Sequence, residues 1–127
     1  MSRTLPINVP DISERPWGKF ETLLRITFPD GNNSVVKKIV IKPNQRTSDQ
    51  KHSLRCEHWT FVFGQGHVVL NGDVVPVRPG IMLKVPAGHS HMVINSDEVD
   101  PLIYIEVTTG FFDEDDIRRL SDEYGRT

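Results

Sequence analysis

Five histidines are spread along the chain, and two stretches gather side chains able to bind metals or move protons. One is Gln50-Lys51-His52 followed by Glu57-His58; the other is His89-Ser90-His91. In extended backbone alternate side chains share a face, so Gln50 and His52 point one way, and so do His89 and His91. Neutral imidazoles and carboxylates converging from different strands make a site for a divalent cation, and a barrel interior supplies such convergence. The plainer reading is a set of surface histidines at strand ends, and local spacing alone leaves both open. His67 follows a turn and reads as solvent-facing.

The elements that must carry these side chains are short and β-rich. Runs dominated by β-branched and apolar residues occupy 20–28, 34–42, 57–63, 67–77, 81–86, 91–95 and 101–109. Turn signals separate them: Pro29-Asp30-Gly31, Pro43-Asn44, Gly64 and Arg78-Pro79-Gly80. Asn71-Gly72 splits one run and predicts a two-residue type I′ hairpin. Short strands with no helix between them predict an all-β, antiparallel sandwich or barrel. Pro76 fits an edge strand or a bulge. Residues 1–14, with prolines and no period, read as an irregular arm in which Asp11 begins a short turn toward Gly18. At the other end Asp113 can cap a helix with Asp116 at its third position, flanked by Phe112 and Ile117 as a hydrophobic staple. Ile117, Leu120 and Tyr124 would share its apolar face, with Gly125 as the stop. Residues 15–127 are then one domain.

Composition narrows the function classes. With 127 residues, 15 basic against 17 acidic side chains and a net charge of −2, the chain lacks the excess positive charge that nucleic acid or anionic membrane would call for. One cysteine, Cys56, permits no internal disulfide. No apolar run approaches the roughly 18 residues of a membrane span, and Met1 to Pro10 lacks the layout of a signal peptide. The expectation is a cytoplasmic protein with neither nucleic-acid nor membrane partners.

Spacing sharpens the two histidine stretches. From Gly80 the chain runs glycine, five residues, Pro86, one residue, Gly88, two residues, His91, three residues, Asn95. Upstream it runs Gln50-x-His52, four residues, Glu57, six residues, Gly64. In this order, with a hairpin between, these resemble the second and first signature motifs of the cupin family. The second matches at every fixed position. The first departs at Gln50, where many cupins have histidine, and at Asn44, where the motif usually begins with glycine. Arg15-Pro16-Trp17-Gly18, Gln50-x-His52, Arg55-x-Glu57-His58-Trp59, Pro86-Ala87-Gly88 before His91, and the stretch from Glu114 to Arg126 look like one cupin subfamily. It is the C-terminal mannose-6-phosphate isomerase domain of bifunctional type II isomerase/guanylyltransferases, in which Gln50 is the usual residue.

The resemblance implies a cupin barrel with one divalent metal held by Gln50, His52, Glu57 and His91. Two imidazoles, a carboxylate and an amide oxygen suit zinc first, with manganese, iron, cobalt or nickel as alternatives. Cys56 has the opposite parity to Glu57 and reads as a packing residue; His58 alternates outward, whereas Trp59 shares Glu57's side. The implied reaction interconverts mannose 6-phosphate and fructose 6-phosphate through an enediol, which needs charge stabilisation, a proton carrier and a phosphate anchor. Arg55 and Arg126 are the candidate anchors, a surface salt bridge being the plainer role for each, and His89 a candidate lining the entrance. Lys84, His89 and Glu106 are candidate bases, with nothing in the sequence selecting among them. Met92 stands where related domains carry an arginine after the motif histidine, and this leaves a non-catalytic metal-containing cupin that binds a sugar or small anion as the alternative. No glycine-rich nucleotide loop is present, so nucleotidyl transfer is not expected. Cupins commonly pair, and a homodimer is expected.

Overall fold

The computed structural model describes residues 11–110 and 116–126, and every regular element among them is a strand. In chain order these are β1 (Asp11–Arg15), β2 (Gly18–Thr27), β3 (Asn33–Ile41), β4 (Gln45–Arg46), β5 (Asp49–Lys51), β6 (Arg55–Phe63), β7 (Gly66–Leu70), β8 (Asp73–Val77), β9 (Met82–Val85), β10 (His91–Asn95), β11 (Leu102–Gly110) and β12 (Arg118–Ser121). All pairings are antiparallel. One sheet has the order β1-β2-β3-β11-β6-β9, and the other β12-β5-β10-β7-β8, with β4 added beside β10. No helix among the described residues is long and apolar enough to cross a membrane.

The turns behave as their residues dictate. Asn71 and Gly72 both have positive φ, 48° and 90°, and close the β7–β8 hairpin between Leu70 and Asp73. Pro76 lies on β8, an edge strand, where a missing N–H breaks no ladder.

Alternation along the central strands sets the interior. Val35, Lys37, Ile39 and Ile41 of β3 point inward, as do Leu102, Tyr104, Glu106 and Thr108 of β11, and Arg55, Glu57, Trp59 and Phe61 of β6. The register aligns these rows: Leu102 faces Ile41, Tyr104 lies between Ile39 and Phe61, and Glu106 lies between Lys37 and Trp59. The barrel is therefore filled unevenly. One end is an apolar plug of Ile41, Phe61, Val68, Val93 and Leu102, each buried to within 1% and contributing about 1.5–3 kcal/mol. The other end carries the buried charges. The plug gives the charged end a rigid, water-poor floor.

Two expectations are corrected. The C-terminal helix does not form where it is described: Arg118–Ser121 is strand β12, pairing with β5 through Arg118–Lys51 and Arg119–Gln50. Asp113 and Phe112 lie outside the described residues. Ile117 turns to the interior while Leu120 is 47% exposed, so the two share no apolar stripe. The open edge of β5 offers unpaired backbone groups, and that tertiary partner outweighs weak helical spacing. At the N-terminal side, Asp11–Arg15 is a strand paired to β2 instead of part of an irregular arm, with Pro16-Trp17 as its turn. It lies on the sheet's edge, mostly exposed, so its sequence carries no alternation to read.

Candidate metal centre

His52, Glu57 and His91 come together from the loop after β5, from β6 and from β10. Their donor atoms all lie within 4.8 Å of one another, and all three residues are buried. Backbone contacts hold the loops: Gly88 N–H donates to the carbonyl of His52 at 2.7 Å, tying the turn before His91 to the other histidine. Gly88 takes a φ of 81°, which a glycine adopts without cost. Gln50 faces His91 across the β5–β10 pair and lines the same cavity. Its Oε1 accepts a hydrogen bond from Ser48 Oγ at 3.2 Å.

Each imidazole is oriented through its other nitrogen. His52 Nδ1–H donates to the carbonyl of Asp116 at 2.5 Å, and His91 Nδ1–H to the carbonyl of His89 at 3.2 Å. Both rings therefore present Nε2, with its lone pair, to the centre. The rings are 5.1 Å apart, and Trp59 meets His91 edge-on at 5.4 Å. Asp116 also fixes the His52 loop by accepting from the N–H groups of Ser53 and Leu54 at 3.0 and 2.8 Å.

The electrostatics suit a cation. Burial, followed by the charge of Arg55, lowers His52 to about 4, and burial lowers His91 as well, so both are neutral ligands near pH 7. Burial alone would raise Glu57, yet the hydrogen bond with Glu106, the imidazoles and Arg55 hold it well below the usual carboxylate range. Trp59 Nε1–H donates to Glu57 Oε1 at 2.9 Å. Glu106 moves the opposite way: burial, then the charge of Glu57 and their shared hydrogen bond push it well up, so it keeps its proton. Two neutral imidazoles and an ionised carboxylate are a donor set that fits zinc or a similar divalent ion, and Gln50 lines the same cavity.

The donors open into a cavity of about 220 Å³. Arg15, Lys37, Arg55, Arg119 and Arg126 line it, against the buried acid Glu106. Lys37 is only 4% exposed, its Nζ 4.1 Å from the centre of the Phe20 ring. Arg126 is forked onto Asp122 through two bonds of 3.0 Å while still facing the cavity.

Of the three candidate bases, only Glu106 lines this cavity. Lys84 is exposed, paired with His58 on the outer face of the β6–β9 ladder, because its parity is opposite to that of Val85. The His89 side chain lies outside the cavity lining, and its carbonyl, not its ring, serves the site by orienting His91. Met92 alternates away from His91 into a separate surface cleft with Arg46, Asp122 and Glu123. Cys56 is a half-buried free thiol on the face opposite Glu57, and His58 and His67 are exposed. Motif residue Asn95 is architectural: its amide donates to the carbonyls of Ile41, Lys42 and Asp100. Lys37 and Arg119 carried no role in the sequence motifs, and Arg15 stood in a motif without being named as a site residue. For Lys37 a signal existed, a lysine in phase with Val35, Ile39 and Ile41.

Comparison with known proteins bears on the family and the fold. The family model described as mannose-6-phosphate isomerase C-terminal matches residues 8–122. Mannose-1-phosphate guanylyltransferase ManC of Salmonella typhimurium is 37% identical over 113 residues, covering 88% of this chain and 22% of that protein. The alginate biosynthesis protein AlgA of Pseudomonas aeruginosa is 36% identical over 114 residues, covering 89% and 22%. The chain thus spans about a fifth of the length of these curated relatives. A cupin-2 domain from Rhodospirillum rubrum superposes with a TM-score of 0.64 at 13% identity, covering 84% of this chain and 78% of that one, a likeness of fold. The barrel is a cupin, and the chain belongs to the mannose-6-phosphate isomerase C-terminal family.

Proposed function

We propose that this chain is a metal-dependent aldose–ketose isomerase that interconverts mannose 6-phosphate and fructose 6-phosphate. The observation that carries this reading is one small cavity holding a His52–Glu57–His91 donor set, a protonated buried carboxyl and several cations. A divalent ion held by His52, Glu57 and His91, with Gln50 as a fourth donor, would supply Lewis-acid polarisation of adjacent oxygens.

The chain's own groups supply the rest. Arg15, Lys37, Arg119 and Arg126 present positive charge for a phosphate, and guanidinium forks match its oxygens. Glu106 is the proton carrier. It gives its proton to the carbonyl oxygen, and the resulting carboxylate takes the proton from the adjacent carbon, leaving an enediol. Returning that proton to the former carbonyl carbon, and recovering one from the second hydroxyl, yields the isomer and restores the acid. The apolar floor beneath keeps bulk water from this exchange.

Met92 is the residue that would favour a non-catalytic sugar- or anion-binding cupin. Its side chain lies outside the cavity, so the missing arginine takes no charge from the cavity lining. A homodimer and a single domain belong to the same proposal; sedimentation checks the first.

The test is turnover of mannose 6-phosphate after chelation and after reconstitution with zinc, manganese, iron, cobalt or nickel. Activity should vanish with chelator and return with one of them. Stoichiometric metal binding with no turnover in any form would leave the non-catalytic alternative.

A further inference from the structure

Arg55 reaches into the donor set itself. Its Nε donates to Glu57 Oε2 at 3.0 Å, and its Nη2 donates to His52 Nε2 at 3.0 Å. His52 Nε2 lies 3.4 Å from the same Glu57 oxygen, so one guanidinium spans two of the three donors from within a 7% exposed position. His52 has already committed Nδ1–H to the carbonyl of Asp116. A neutral imidazole then offers one lone pair, at Nε2, and that lone pair serves either an N–H donor or a metal, not both. A divalent ion there would also sit a few ångströms from a fixed positive charge in a poorly screened interior.

We infer that Arg55 is an internal substitute for the metal. It holds the imidazole and carboxylate together when the ion is absent, and it breaks from His52 when the ion arrives. Loading the site turns this guanidinium toward the cavity it already lines, where an anionic ligand would meet it. The inference rests on the metal-centre reading above and adds a competitor for its ligands. Arg55 thus weakens metal affinity while protecting the metal-free fold, since Glu57 would otherwise be a buried carboxylate lacking this donor.

The experiment is a zinc titration against a chromophoric chelator, with thermal unfolding of chelated and zinc-loaded protein, for wild type and Arg55→Met. The variant should bind zinc more tightly by at least about tenfold. Its chelated form should unfold several degrees lower, and the gap between loaded and chelated forms should widen. A folded Arg55→Met protein that binds zinc no better than wild type overturns the inference. Should the variant not fold, the wild type answers alone. Its Arg55 Nε–H signal in a nitrogen–proton spectrum should exchange slowly in chelated protein and shift on adding one equivalent of zinc. A signal unmoved by stoichiometric zinc overturns the inference while sparing the metal centre. Wild type that binds no zinc, manganese, iron, cobalt or nickel overturns both.

Discussion

Glu106 is where a single side chain has most to do. It is buried between Lys37 and Trp59, and burial first, then the neighbouring charge of Glu57 and their hydrogen bond, push it well above the usual carboxylate range, toward the protonated form. Glu106→Gln keeps the shape and a hydrogen-bond donor toward Glu57 but removes the transferable proton. We expect kcat for isomerisation to fall by roughly 10²-fold or more, with bound metal measured by elemental analysis unchanged. Loss of metal with the activity would instead mark Glu106 as a support for Glu57. Asn95 makes the contrasting case. It occupies a motif position as fixed as that of His91, yet its amide clamps three carbonyls far from the donors. Asn95→Ala should cost about 1–3 kcal/mol in denaturant unfolding and leave zinc affinity unaltered. The motif spacing in the sequence marks both residues and cannot tell ligand from clamp, because each is required for the same loop path.

Among the elements, the central strands were legible because alternation and turn residues report burial directly. Val35 to Ile41 and Leu102 to Thr108 each place one face inside, and Asn71-Gly72 fixes a hairpin by its backbone preference. The same alternation could have picked Glu106 over Lys84, since Glu106 is in phase with Leu102 and Tyr104. Strands β1, β4, β5 and β12 were not legible: they are short, and β1 and β12 are mostly exposed edges whose pairing depends on distant partners. The segment leading into β12 matters to the centre all the same, because Asp116 holds the His52 ring through its carbonyl and the next two backbone amides through its carboxylate. Asp116→Ala keeps the carbonyl but frees the loop. Metal affinity should fall by about 10–100-fold, as for other groups that orient ligands, while the circular dichroism spectrum stays that of the barrel. Unchanged affinity would show that β12 alone fixes the loop.

At the scale of the whole molecule, a charged half of the interior sits on an apolar half, and this split makes stability depend on pH with a definite sign. In metal-free protein, burial holds His52 down to about 4 and lowers His91, so the fold refuses two protons that an unfolded chain accepts below about 6.5. Glu106 does the reverse, keeping in the fold a proton that an unfolded glutamate gives up above about 4.3. Between those two pH values the unfolded chain binds about one proton more, so stability falls on acidification, by about 1.4 kcal/mol per pH unit where the difference is complete. Glu57, held below its usual range, adds to the loss only at still lower pH. Above about 6.5 His52 and His91 are neutral in both states while Glu106 still holds its extra proton in the fold, so its contribution makes stability fall again as pH rises toward its own raised value. Thermal unfolding of chelated protein should therefore show a maximum near pH 6.5, with lower midpoints at pH 5 and pH 8.5. Glu106→Gln should remove the alkaline decline and leave the acid side in place. A wild-type midpoint that keeps rising through pH 8.5 would mean that Glu106 is ionised in the fold, and the proton carrier would have to be sought elsewhere in the cavity.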